Sequence, residues 1–294
     1  MKRNWKHNLR RNELLNTVGI SCLWLCAGIV SMLFLGIIIY LLIQGGGYLF
    51  DATFYSTQRF GIGRELFNTI YILLLAQIIL LPIALAAAIY LTEYAKPGKL
   101  VNCIHFAAET LASVPSLVLG LFGVLVFVTY FHLGTSRIAG ALTLLCLNLP
   151  LALRLFEDAI TSVPRELREG GYALGSTTWH TILTLVLPSA LPGIVTAIIL
   201  TSGRVMGESA AFLFTMGLYS PVHATSLDWS LPGATLTTHL YNIIGPGSGS
   251  LGLTSHQEAS VAAGSAALLI VILLVFNFAA RGMGDMLRRH IMAE

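Results

Sequence analysis

No charged residue occurs between Glu13 and Asp51. The apolar run inside that interval, from about Val18 to Ile43, is long enough for a helix to cross the roughly 30 Å hydrocarbon layer of a bilayer. It is also too long for the core of a cleavable signal peptide, so it is expected to persist as a first membrane helix. Uncharged or nearly uncharged windows recur at about Leu66–Leu91, at Leu111–Phe131, from Arg137 past Arg154 towards Ser162, at Ser189–Gly217 and at Ala259–Ala280. The pattern predicts an all-α polytopic membrane protein with six transmembrane helices. Composition agrees: 55% hydrophobic residues against 11% charged, with a mean hydropathy of +0.78, excludes an ordinary soluble domain.

The basic residues predict an orientation. With a cytoplasmic N-terminus, one side holds Lys2, Arg3, Lys6, Arg10, Arg11, Lys96, Lys99, Arg154, Arg165, Arg168, Arg281, Arg288 and Arg289. The other holds only Arg59, Arg64 and Arg137, and Arg204 lies within a span. The positive-inside rule therefore puts both termini in the cytoplasm, segment 164–188 on the cytoplasmic face, and the Gly, Ser, Thr and Pro-rich stretch Tyr219–Glu258 outside. A short helix is expected at about Thr235–Ile244 in that stretch. The four cysteines lack paired ligand spacing, and no histidine pair has it either, so no metal site and no cofactor is expected.

Segment 164–188 is longer than a mere connector needs. Pro164 suits a helix start, Arg165–Leu174 can be helical, and Gly175 is a natural stop. A second short helix is expected from Thr177 to Val186, ending at Pro188. Two short helices around a glycine turn make a compact knob, a surface for a partner.

Glu169-Gly170-Gly171, three residues, Gly175, nine residues, then Leu185-Val186-Leu187-Pro188 resembles the coupling motif of ATP-binding-cassette (ABC) importer permeases. That motif is Glu-Ala-Ala, three residues, Gly, nine residues, then Ile, any residue, Leu-Pro. Every anchor keeps its spacing, and glycines stand where the family usually has alanines. Asn68-Thr69-Ile70-Tyr71, Ala88-Ile89-Tyr90-Leu91 with Glu93-Tyr94, Val114-Pro115-Ser116 with Gly120, Arg204 with Gly207-Glu208-Ser209-Ala210, and His239-Leu240-Tyr241 extend the resemblance to the phosphate-specific branch of the PstA type, over about residues 62–280. The resemblance implies the type I importer permease fold in the cell inner membrane. It divides the chain into 1–61 (N-terminal tail, first helix and periplasmic loop), a permease core 62–281 and a C-terminal tail 282–294. It also implies that the loop holding Arg168, Glu169, Gly170, Gly171, Gly175, Leu187 and Pro188 docks on an ATPase subunit.

Arg204 and Glu208 are four residues apart, so on a continuous helix they share a face and can pair. Arg204 lies twelve residues past Pro192, about 18 Å along a helix and near mid-membrane. An ionisable group at that depth faces a bundle interior or a wet cavity. Two roles stay open: an internal pair locking helices, or an anion path on which the planar guanidinium meets phosphate oxygens, with Glu208 neutralising Arg204 in the absence of an anion. The resemblance favours the path for Arg204 and Glu208; the Ser209 hydroxyl is a further candidate donor to an anion, or bonds its own backbone. Glu208 is read as the only carboxylate well inside a span.

No Gly-x-x-x-x-Gly-Lys-Ser/Thr cradle is present, so the chain is expected to be no enzyme and to draw on ATP hydrolysed elsewhere. An intramembrane hydrolase would want His-Glu-x-x-His or paired acids, which are absent. The partners implied are a second, homologous permease of the PstC type, a homodimeric ATP-binding subunit at the cytoplasmic face, a periplasmic phosphate-binding protein and membrane lipid. No nucleic acid is implied. Sulfate, molybdate and phosphonate remain alternatives to inorganic phosphate.

Overall fold

The computed structural model describes residues 2–57, 61–221, 225–245 and 255–292. Among the described residues all regular structure is helical. Eleven helices follow in order: α1 Lys2–Gly45, α2 Gly63–Ile89, α3 Lys99–Ser113, α4 Ser116–Gly123, α5 Arg137–Thr161, α6 Arg165–Ala173, α7 Thr178–Thr181, α8 Leu187–Gly207, α9 Ala210–Thr215, α10 Leu236–Ile244 and α11 Ser255–Met292. By length and composition five stretches can cross a membrane, or six if α3 and α4 count as one span. Those two meet at 101° around Val114–Pro115, because the residue before proline is pushed out of the helical region. The predicted count of six thus depends on a broken element.

The centre of the bundle is α2, α5 and α8 packed together. Near α6 the core is Leu80, Ala84, Leu153, Phe156, Ile160 and Val186; further along it becomes Ile72, Leu144, Leu147, Val205, Met206 and Phe212. Small residues let α5 and α8 touch closely: a methyl group on Gly193 would lie 2.7 Å from the Ala159 side chain. By contrast α1 stands outside the bundle. The apolar window of its span is wholly unburied, and it packs on α11, with Gly45 close against the backbone of Ala263.

Three boundaries differ from expectation. The helix expected to end at Pro188 does not: Thr178–Gly207 runs through a π-helical turn, Ile182–Val186, directly into α8. That wider turn sits where Pro188 removes a donor and crowds the preceding turn. The helix expected over Ser189–Gly217 instead stops at Gly207, and Glu208 (φ −74°, ψ 130°) and Ser209 separate it from α9. The last helix continues through Met292, across the expected boundary at 281. Arg59 and His223 lie outside the described residues, as do the side chains of His256 and of the basic residues before Asn12 and after Arg281.

Candidate transport and coupling sites

The α6–α7 knob is built by local rules. Pro164 precedes α6, and Gly175, at φ +82°, ends it. The Ser176 N–H donates to the Gly171 carbonyl (3.1 Å) and the Gly175 N–H to the Tyr172 carbonyl (2.9 Å), the paired bonds of a Schellman turn. The Thr177 hydroxyl accepts from the His180 N–H to start α7. Glu169 and Gly170 are exposed, as are Leu167, Tyr172, Leu174 (90%) and Trp179, so the knob presents apolar side chains around an acid. The two glycines of the motif differ. A Cβ on Gly170 meets nothing within 4 Å, whereas one on Gly171 would lie 3.0 Å from Leu185 and 3.1 Å from Thr181. Gly171 therefore lets α6 lie against the turn after α7. Leu187 and Pro188 belong to the start of α8, half-buried.

Arg168 faces inward, unlike its exposed neighbours Glu169 and Gly170. Its guanidinium donates to both oxygens of Glu93 (2.8, 3.0 and 3.3 Å) and to the carbonyls of Val163 (2.7 Å) and Ile160 (2.9 Å). Its side chain is 14% exposed and that of Glu93 is 5% exposed. Glu93 sits in a π-helical turn, Tyr90–Tyr94, that prolongs α2. The sequence placed Glu93 in the Glu93-Tyr94 motif after the second helix and gave it no partner.

Arg204 is exposed in a cleft of about 360 Å³ between α3, α5 and α8. Pro150 lines the same cleft, near the centre of α5. The expected pairing with Glu208 is not formed. The helix has ended before Glu208, whose carboxylate accepts from the Ala211 N–H (3.2 Å) and whose carbonyl accepts from the Thr237 hydroxyl (2.7 Å). Gly207 is a weak helix former, and Glu208 finds better partners at the mouth of α9 than on the face of α8. Ser209 lies at the same break, half-buried.

The cleft holds acids that sequence reasoning missed. Glu157 and Asp158 lie within the α5 span and line it, so Glu208 is not alone. His105 pairs with Glu157 at 3.1 Å, and Arg154 reaches Glu109 at 4.0 Å with both side chains mostly exposed. No ion pair among the described residues engages Arg204.

The comparisons with known proteins bear on this arrangement. The family profile described as "Binding-protein-dependent transport system inner membrane component" matches residues 80–292. The chain belongs to that family. It is accordingly a permease subunit of an ABC importer, a multi-pass component of the inner membrane. This permease is 39% identical over 286 residues to the "Probable ABC transporter permease protein YqgI" of Bacillus subtilis, covering 92% of this chain and 95% of that protein. It is 37% identical over 261 residues to the "Phosphate transport system permease protein PstA homolog" of Mycoplasma pneumoniae, covering 86% of this chain but 39% of that longer protein. It is 39% identical over 168 residues to "Phosphate transport system permease protein PstA 1" of Mycobacterium tuberculosis, covering 57% and 54% of the two chains. Among solved structures, a bacterial alginate ABC transporter in complex with an alginate-bound periplasmic protein superposes with a TM-score of 0.66 at 18% identity, over 96% of this chain and 97% of that one. The MetNI methionine ABC transporter gives 0.53 at 19%, over 86% and 97%. These two likenesses speak to the fold alone.

At the opposite end of the permease from α6, Arg137, counted from the sequence only as a charge, has a structural role. It is fully buried at the first turn of α5. Its guanidinium donates to Asn68 Oδ1 (3.0 Å) and to the carbonyls of Ser226 (2.6 Å) and Asp228 (2.8 Å), and it lies 4.9 Å from the Tyr71 ring centroid. It thereby straps the loop before α10 onto α2 and α5. The Asp228 carboxylate accepts from the Ser230 N–H and hydroxyl, which holds its pKa below the usual carboxylate range. Nearby on α10, burial lowers the His239 pKa to about 4.

Proposed function

We propose that this permease carries inorganic phosphate from the periplasmic side into the cytoplasm, as one half of a pathway whose other half is a homologous PstC-type chain. The observation that carries the reading is the Arg204 guanidinium, exposed in the α3–α5–α8 cleft and not paired with Glu208. A planar fork of donors suits a tetrahedral oxyanion, and the acids along the same wall keep the cleft from holding an anion too tightly. The PstA-named relatives add support. A separate homodimeric ATPase docks on the α6–α7 knob, with Glu169, Leu174 and Trp179 at the contact, and a periplasmic phosphate-binding protein delivers substrate. Both termini lie in the cytoplasm.

Purifying the chain with its native partners tests this. The binding protein and ATPase that come with it are identified, and the binding protein is titrated with phosphate, sulfate, molybdate and a phosphonate. A partner that prefers phosphate supports the proposal. One that prefers sulfate overturns the substrate.

A further inference from the structure

We infer that Glu93 is a positioning residue for energy transmission, the joint through which displacement of the α6–α7 knob reaches α2. The inference rests on the proposed role of the knob as the ATPase dock.

The α6 and α2 ends are separated by a cleft of about 320 Å³ lined by Thr92, Arg165, Glu169 and Tyr172, and the Glu93–Arg168 pair bridges it. The pair is bidentate and nearly dry, and the same guanidinium is fixed to the end of α5 through the Ile160 and Val163 carbonyls. A buried pair of this kind is a poor source of stability, because desolvation offsets most of its attraction and well-packed apolar residues do as well. What it supplies is a fixed geometry among three elements. The π-helical turn at Tyr90–Tyr94, a distortion common at functional sites, presents Glu93 to that guanidinium.

The far side of the joint leads towards the cleft. Sixteen residues back along α2, about 24 Å at helical rise, Gln77 donates to the hydroxyls of Ser202 (2.7 Å) and Thr201 (3.3 Å) on α8. Those residues stand just before Arg204. The α2 helix is thus pinned to the knob at one end and to the Arg204 helix at its middle. Contiguity alone does not establish coupling, so the joint has to be broken and the coupling measured.

The test uses the full transporter, with both permeases, ATPase and binding protein, in proteoliposomes. Glu93→Gln keeps the shape and removes the charge; Glu93→Asp keeps the charge. In chains with the four native cysteines replaced, spin labels go on the exposed positions Glu166 in α6 and Ile78 in α2. In the wild type the label distance stays the same in resting and vanadate-trapped states. In Glu93→Gln it shifts or broadens on trapping, ATP hydrolysis stays within about twofold, and phosphate imported per ATP falls tenfold or more. Glu93→Asp recovers to within about threefold of the wild type. An unchanged phosphate-to-ATP ratio with an unchanged label distance in Glu93→Gln overturns the inference, as does a loss of uptake that only tracks a loss of assembled complex. If the wild type hydrolyses ATP without importing phosphate, the substrate proposal fails instead, and the label distances still decide the role of Glu93.

Discussion

Replacing Arg137 with methionine removes the strap at the end of the bundle away from α6 and keeps most of the volume. Asn68 Oδ1, on a residue with no exposure, loses its donor, which costs about 1–3 kcal/mol. The Ser226 and Asp228 carbonyls belong to residues near the surface, so water replaces part of what they lose and each costs nearer ~1 kcal/mol. Loss of the Tyr71 ring contact adds about 1 kcal/mol. Methionine in turn escapes the desolvation that the guanidinium suffers, which returns a few kcal/mol. The net loss is about 3 kcal/mol, a large part of a typical stability of about 5–15 kcal/mol. In detergent the unfolding midpoint of Arg137→Met should fall by about 6–12 °C, and segment 225–234 should become the earliest site of proteolysis. A midpoint within about 2 °C of the wild type, with unchanged cleavage, would refute the assignment of Arg137 as the strap.

Other consequences can be measured separately. Gly175→Ala forces a side chain into φ +82° and should weaken the Schellman turn by about 1 kcal/mol, lowering affinity for the ATPase roughly fivefold; binding to the purified ATPase checks this. Gly170→Ala should be tolerated or raise stability by about 0.5–1 kcal/mol, whereas Gly171→Leu, driven against Leu185 and Thr181, should displace α6 and lower complex yield. Because burial depresses the His239 pKa to about 4 from 6.5, the unfolded chain takes up a proton before the folded one does. The His239 contribution is therefore complete above pH 6.5 and is lost as pH falls towards 4, by at most about 3 kcal/mol. Unfolding of His239→Gln between pH 7 and 4 should lack that component; an identical pH profile would contradict it.

Features set by neighbours in the chain were legible, and those set by distant partners were not. Pro164 and Gly175 bracket α6 because a fixed φ at one end and a left-handed residue at the other act locally. The short helix expected near Thr235–Ile244 is present, and Thr235 caps it. The break at Glu208–Ser209 depends on Thr237, on another element, so a four-residue spacing suggested a pair that the fold does not make. Proline at 115 was visible, but the 101° bend it accompanies was not. Arg137 counted as one more outward charge, although carbonyls some ninety residues further along bury it. Glu93 was legible as part of the Glu93-Tyr94 motif but its pairing was not, because its partner is 75 residues away.

The central claim is that phosphate passes the Arg204 cleft, and the most direct measurement is ATP-driven uptake of radiolabelled phosphate into proteoliposomes holding the complete transporter. Uptake that resists excess sulfate, falls at least tenfold in Arg204→Gln with the ATPase still bound, and falls less in Glu208→Gln is the predicted result. Phosphate uptake at the wild-type rate in Arg204→Gln would contradict it.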